Sequence, residues 1–326
     1  MQIALFSAKR YDRQSFDAAG AQHIRYIDAR LSLETVGAAD GCEAVCVFVN
    51  DCLDAAVLGR LQALGVKLVL LRCAGFNNVD LAASRRLGLA VARVPEYSPH
   101  AVAEQTLALL LTLVRKTHRA SNRVREGNFE LDGLLGFDLH GKTVGVIGTG
   151  RIGACVARIF QGLGCEVLGH DPQPDASLGL QYLPLDELLR RSRVVMLQCP
   201  LNAATRHLIN ADRLSLMPRG SLLINTSRGA VIDTPAVVQA LKSGHLGGLA
   251  IDVYEEEAGL FFADRSDEVI TDDVFARLLT FPNVLITAHQ GFFTEEALAA
   301  IAETTLANAR AFAASGRALH PVIEPA

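Results

Sequence analysis

Short β-branched and apolar runs alternate with stretches of helical period along the chain. In the first hundred residues "IALFS" (3–7), "HIRYID" (23–28), "AVCVFV" (44–49), "LVLLRC" (68–73) and "LAVARV" (89–94) predict strands, and "DAAVLGRLQALG" (54–65) predicts a helix between two of them. Strands linked by such crossovers form a parallel sheet covered on both faces, a three-layer α/β unit. The next segment, "PEYSPHAVAEQTLALLLTLVRKTHRASNRVREG", keeps a helical period at 102, 103, 106, 107, 110, 111 and 114. With Ser98 as N-cap, Pro99 in the first turn and Gly127 as stop, it predicts one long helix bridging two domains. A second series follows: "TVGVIG" (143–148), "EVLGHD" (166–171), "RVVMLQ" (193–198), "SLLINT" (221–226), "GLAIDV" (248–253) and "VLITAH" (284–289). Six strands make a full dinucleotide-binding sheet. The run "EEALAAIAETTLANARAFAAS" predicts a last helix that returns to the first domain.

Composition narrows the function classes. The 326 residues suffice for two domains with proper cores, and half of them are hydrophobic. The charge balance of 31 basic against 35 acidic residues, net −4, gives no electrostatic footprint for nucleic acid. The densest basic cluster, "RRSR" (190–193), suits a helix end before a strand. "MQIALFSAKRYD" lacks the features of a signal peptide, and "TLALLLTLV" is roughly half a membrane span. Seven cysteines at irregular spacing suggest neither a disulfide framework nor a metal site. A cytoplasmic protein that binds neither nucleic acid nor membrane is expected.

The most specific motif is "GVIGTGRIG". Gly148, Gly150 and Gly153 have the G-x-G-x-x-G spacing, directly after a strand and directly before a helix. That context supplies the tight turn, the close approach to a pyrophosphate and the anion-binding helix start. Asp171 ends the next strand, where an acid binds the adenine ribose hydroxyls. No Lys or Arg follows it in "DPQPD", which favours NAD over NADP.

A dinucleotide site implies hydride transfer, and three residues stand where its chemistry is expected. Arg228 in "NTSRGAVID", Glu257 in "DVYEEE" and His289 in "TAHQGFF" follow or end successive strands, at the carboxyl ends where ligands bind in parallel sheets. Reduction of a 2-keto acid needs a cation for the carboxylate and carbonyl, and a proton donor for the ketone oxygen. Arg228 suits the first role. His289 suits the second, with a carboxylate beside it to favour its protonated form and fix its tautomer. "CAGFNN" (73–78) holds a similar position in the first domain, and its amides could bind a substrate carboxylate.

"GVIGTGRIG", "NTSRGAVID", "DVYEEE" and "AHQGFF", in that order, resemble the D-isomer-specific 2-hydroxyacid dehydrogenases. The likeness extends to "RCAGFNNVDL" and "VPEYSPHAVAEQTLALLL" and so covers nearly the whole chain. The segment "LFFADRSDEVITDDVFARLLTFPNVLITAHQGFFTEEAL" is similar to the fermentative D-lactate branch, including Ala258 and Ala288 where many members have proline.

The resemblance implies an α/β fold of two doubly wound parallel-sheet domains. A Rossmann NAD-binding domain, 99–292, would be inserted into a flavodoxin-like substrate domain, 1–98 and 293–326. It implies that Arg228 binds the carboxylate of pyruvate, that His289 donates the proton and that Glu257 holds His289. Amides of Cys73, Ala74 and Gly75 would complete carboxylate binding, with Tyr97 and Phe292 around the substrate methyl. Arg151, Ile152, Cys199, Thr205, Thr226 and Asp252 would join the glycines and Asp171 as cofactor contacts. A cleft between the domains that closes on substrate, and a homodimer or tetramer, are also implied. Reduction of 2-ketoisocaproate, hydroxypyruvate or glyoxylate remains open, as does an NADH-sensing protein like the related co-repressors. Glu257 argues against the related formate dehydrogenases, which lack a glutamate partner for their histidine.

Overall fold

Five parallel strands, β1 (Ile3–Leu5), β2 (Ile24–Tyr26), β3 (Ala44–Val47), β4 (Leu68–Leu71) and β5 (Ala90–Arg93), build the first sheet in the order β2-β1-β3-β4-β5. The computed structural model describes residues 1–322, so the last four residues of the expected 293–326 segment lie outside the described residues. Two units divide the chain: Met1–Ser98 with the chain from Phe292 onward, and Pro99–Gly291. The first sheet has the flavodoxin-like order, reversing direction between β1 and β3. On one face Ile3, Leu5, Cys46, Leu68 and Leu70 pack against Phe16 of helix Arg10–Ala18 and against Ala302, Leu306 and Ala309 of helix Glu295–Ser315. The latter helix starts at Thr294, whose side chain accepts the Ala297 amide, and stops at Gly316 in the left-handed conformation. Buried Asn308 on this helix donates to the Arg93 carbonyl and accepts the His320 amide, tying the helix to β5 and to the chain beyond it.

Ser7, Phe48 and Arg72 lie just past β1, β3 and β4, and a polar cluster is buried there. Arg72 is 2% exposed; its Nε donates to Asp12 at 3.0 Å, one Nη to the Ser7 carbonyl, and its guanidinium lies over the Phe48 ring. Asp51 accepts from the Ser7 hydroxyl and from the amides of Leu31 and Phe48. These bonds fix three loops at the carboxyl edge of the sheet.

The second sheet contains seven parallel strands among the described residues: β6 (Thr143–Ile147), β7 (Glu166–His170), β8 (Gln181–Tyr182), β9 (Val194–Leu197), β10 (Ser221–Asn225), β11 (Leu246–Ile251) and β12 (Val284–Ile286). Their order, β8-β7-β6-β9-β10-β11-β12, is the six-strand Rossmann order plus one. Side chains alternate between two cores. Val144, Val146, Val194, Met196, Leu222 and Ile224 face helices Pro99–Arg115 and Arg151–Gly162. Val195, Leu197, Leu223, Leu249 and Ile251 face the other way, among Leu188, Val237 and Phe275.

Two expectations need correction. The sheet has a seventh strand, β8, whose two residues are too few to show a period. The bridging helix is two helices, Pro99–Arg115 and Thr117–Arg125, broken at Lys116 in the left-handed region, φ 50°. The break has a tertiary cause. Lys116 Nζ donates to the carbonyls of Gly133 and Leu135, and Gly136 lies so close to Val114 that a Cβ there would stand 2.3 Å from the Val114 carbonyl oxygen.

The buried Arg72–Asp12 pair sets a stability test. Asp12→Ala leaves a buried guanidinium without its counter-charge and should cost about 3–5 kcal/mol. Asp12→Leu combined with Arg72→Met should cost less than the single charge-stranding change, as measured by urea unfolding.

Candidate active site

The turn after β6 carries the glycine fingerprint, and the fold assigns each glycine its own reason. Gly148 has φ 88°, and a Cβ there would meet the Cys199 amide nitrogen at 2.7 Å; one on Gly153 would meet the Gly148 carbonyl oxygen at 1.9 Å. Both are demanded by the protein's own backbone. Gly150, the N-cap of helix Arg151–Gly162, has nothing within 4 Å of such a Cβ. Its bareness serves the space outside the turn, which fits the approach of a pyrophosphate to a helix start. Arg151 and Ile152 open that helix, with Ile152 packed against the core.

Asp171 closes the turn from β7. Its carboxylate accepts the Thr149 amide at 2.7 Å and the Gln173 amide at 2.8 Å, so it anchors the fingerprint. Tyr182 on β8, which no motif marks out, donates its hydroxyl to Thr149 Oγ1. Cys199 follows β9, and burial pushes its thiol up to about 11. The Thr205 hydroxyl donates to the Pro200 carbonyl and accepts the Asn202 amide, closing a tight loop. The hydroxyl of Thr226 belongs to a buried net with Thr106 and Gln198.

The turn carrying Arg228 is built by Asn225, the fully buried last residue of β10. Asn225 Oδ1 accepts the amide and hydroxyl of Ser227, while its Nδ2 donates to the Arg228 carbonyl. The half-buried Arg228 guanidinium donates to the Ser227 carbonyl, and no carboxylate pairs with it among the described residues. Gly229 presses this turn against the loop after β11, since a Cβ there would lie 2.1 Å from the Tyr254 carbonyl carbon. That contact joins the arginine turn to the loop that carries Glu257.

Glu257 and His289, 32 residues apart, meet directly: His289 Nδ1 and Glu257 Oε1 are 2.8 Å apart. The other carboxylate oxygen of Glu257 accepts the Tyr254 amide at 3.0 Å. The Glu257 carboxylate is thus fixed, and it assigns the proton on Nδ1 to the shared bond, leaving Nε2 as the reactive nitrogen. His289 has φ 54°, a left-handed backbone, and its amide donates to the Asp252 carbonyl. Asp252 is 2% exposed, and its carboxylate accepts from the Thr287 hydroxyl and from the amides of Gln290 and Gly291. This acid therefore shapes the histidine's own segment.

In the first unit, Cys73, Ala74 and Gly75 form the turn after Arg72. Arg93 holds it: its guanidinium donates to the Ala74 carbonyl and lies over the Phe76 ring. No acceptor takes the amides of Ala74 and Gly75 among the described residues. Tyr97 lies on the loop after β5, and Phe292 packs with the rings of Tyr11, Phe48 and Phe293. Asn225 and Gly229 stand in the motif that carries Arg228, yet their roles, like that of Arg93, show only in their contacts. Among the described residues no cluster of His, Cys, Asp and Glu could hold a metal ion, and no helix is long and apolar enough to cross a membrane.

Comparison with known proteins gives this geometry its family. Residues 107–291 match the family model described as D-isomer specific 2-hydroxyacid dehydrogenase, NAD binding domain. The chain is 55% identical to 2-hydroxyacid dehydrogenase A of Aspergillus oryzae, over 96% of this chain and 92% of that one. It is 53% identical to D-lactate dehydrogenase kk1H of Curvularia clavata, over 94% and 91%. The solved apo-structure of D-lactate dehydrogenase from Escherichia coli superposes with a TM-score of 0.90 at 44% identity, over 99% of this chain and 100% of that one. The resemblance read from the sequence motifs is borne out, and the chain belongs to the D-isomer specific 2-hydroxyacid dehydrogenases, in their D-lactate dehydrogenase branch.

Proposed function

We propose that this protein is an NAD-dependent D-lactate dehydrogenase that reduces pyruvate to D-lactate. The observation that carries the reading is the 2.8 Å bond between His289 Nδ1 and Glu257 Oε1, on strand ends shared with the Arg228 turn. The cofactor reading is supported by the open approach at Gly150 and by the helix start behind it. Gly148, Gly150, Gly153, Arg151, Ile152, Asp171, Cys199, Thr205, Thr226 and Asp252 would hold NADH, which supplies the hydride for the keto carbon when bound.

The chain's own part is binding, orientation and proton delivery. Arg228 binds the substrate carboxylate and draws electron density from the keto oxygen. As negative charge grows on that oxygen, His289 gives it the proton from Nε2, and in the reverse direction the same nitrogen takes the proton back. Glu257 balances the imidazolium and holds the ring at its Nδ1. We assign the amides of Cys73, Ala74 and Gly75 to the carboxylate, and Tyr97 and Phe292 to the substrate's methyl group.

The segment after the broken helix supports a homodimer, with a tetramer as its further assembly. Phe129, Leu131 and Leu135 are 74%, 80% and 88% exposed within seven residues, an apolar density a free surface rarely carries. The seven free thiols suit a reducing cytoplasm.

The first test is initial-rate NADH oxidation with pyruvate beside glyoxylate, hydroxypyruvate and 2-ketoisocaproate, with chiral analysis of the product. Pyruvate should be preferred and D-lactate formed; preference for a bulkier acid would remove Tyr97 and Phe292 from the pocket. His289→Gln should lower kcat by about 10²–10⁴ with NADH binding retained. Glu257→Gln should lower it by about 10–100-fold, the value of one charge-assisted bond. Near-normal turnover by the histidine variant would refute the proton donor. NADH should be preferred over NADPH by on the order of 100-fold, through like-charge repulsion at Asp171, and Asp171→Ala should narrow the gap. Sedimentation should show a dimer that Leu131→Asp with Leu135→Asp converts to monomer; an unchanged mass would place the interface elsewhere.

A further inference from the structure

The bond to Glu257 holds the imidazole of His289 at Nδ1 alone, and coupled changes in its two side-chain torsions still allow a rotation of the ring plane that would swing Nε2 away from any fixed substrate. A second group limits that rotation. The ring of Phe262 lies against the imidazole with centroids 5.7 Å apart and planes at 43°. Phe262 and Glu257 belong to the same short segment, in which a helical turn, Glu257–Gly259, folds back so that the Phe261 amide donates to the Glu257 carbonyl. Carboxylate and phenyl thus reach one imidazole from a single loop, one at its Nδ1 and the other against its ring.

The backbone that aims the phenyl is itself unusual. Phe262 has φ 67°, a conformation that bulky L-residues avoid. Its neighbour Phe261 is 7% exposed and packs its ring on Phe275 at 5.9 Å. Phe261 anchors the loop in the core, and the left-handed residue after it turns the next ring toward His289. His289 is left-handed as well, φ 54°. Two strained residues, far apart in sequence, meet ring to ring.

We infer that Phe262 is a positioning residue for proton transfer: its ring, together with Glu257, fixes the plane of the His289 imidazole. The inference rests on His289 being the proton donor. Aromatic contact both fills the space beside the imidazole and favours a cation there once the ring is protonated. An aliphatic side chain of similar size keeps the apolar contact and loses the flat surface.

The test compares the full-length enzyme with Phe262→Leu and Phe262→Tyr. Four quantities are measured: kcat for pyruvate reduction, its solvent deuterium isotope effect, NADH affinity by fluorescence titration, and the ring-proton NMR shifts of His289. The leucine variant should lose about tenfold in kcat, raise the isotope effect as proton transfer becomes limiting, and keep wild-type NADH affinity. Its His289 ring protons should move as the aromatic ring current disappears. The tyrosine variant should restore kcat to within about twofold. Wild-type kcat in the leucine variant overturns the inference. So does a fall in kcat matched by an equal loss of NADH affinity, which would mark a loop that merely folds poorly. A wild-type enzyme inert toward pyruvate and toward the other keto acids would sink the reading of the site instead. The His289 ring shifts then decide the contact on their own, because unchanged shifts in the leucine variant overturn it without any turnover.

Discussion

Asp252, the residue after β11, has a buried carboxylate that accepts one hydroxyl and two backbone amides, all from the segment Thr287–Gly291. Its own carbonyl receives the His289 amide. A buried carboxylate needs donors to replace the water it has lost, and the segment supplying them is fixed in return. The left-handed backbone of His289 is stable only because its flanks are fixed in this way. Gly291 belongs to the same constraint, since a Cβ there would stand 3.0 Å from the Asp252 carboxylate. The Glu257 bond, the Phe262 contact and the direction of the reactive nitrogen all presuppose this arrangement.

Elsewhere the design relies on missing side chains more than on added bonds. At Gly148 and Gly153 the backbone passes so close to itself that no Cβ fits, and at Gly229 two loops from neighbouring strands touch main chain to main chain. Such contacts cannot slide, because hard atoms meet with no flexible side chain between them. Parallel strands deliver all these loops to one edge of the sheet, and the close approaches set their spacing. Precision at the site comes from rigid backbone, which suits a reaction in which a proton donor must meet a developing charge at hydrogen-bond range.

How much of this could be read from the sequence depended on whether the cause was local. The glycine fingerprint and Asp171 were legible because strand, turn and helix follow one another within thirty residues. Arg228, Glu257 and His289 stood out as polar residues at strand ends, but no spacing rule relates Glu257 to His289, and their meeting is a product of the sheet. The break at Lys116 was illegible for the opposite reason. Lysine favours helix, and the helix stops because Gly136 and the carbonyls of Gly133 and Leu135 reach it from later in the chain. β8 pairs through only two residues. Phe262 stands in "LFFADR" with nothing in the sequence to single it out, and only its backbone angle and its neighbour mark it out.

The first unit is written in two pieces of sequence, and this has a consequence for how the chain comes to be folded. Its sheet is made before the second unit, yet Ala302, Leu306 and Ala309, which cover one face, are made after the whole of it. Until then Leu5, Cys46, Leu68 and Leu70 have only Phe16 of helix Arg10–Ala18 over that side, and the rest of it is bare. The second unit, by contrast, is continuous and can close its cores as soon as it has been translated. Nascent chains of this protein therefore carry a half-covered sheet face while the whole second unit is made, and helix Glu295–Ser315 completes the earlier-made sheet only after it. Chaperone dependence should be set by that waiting time more than by the stability of the finished fold.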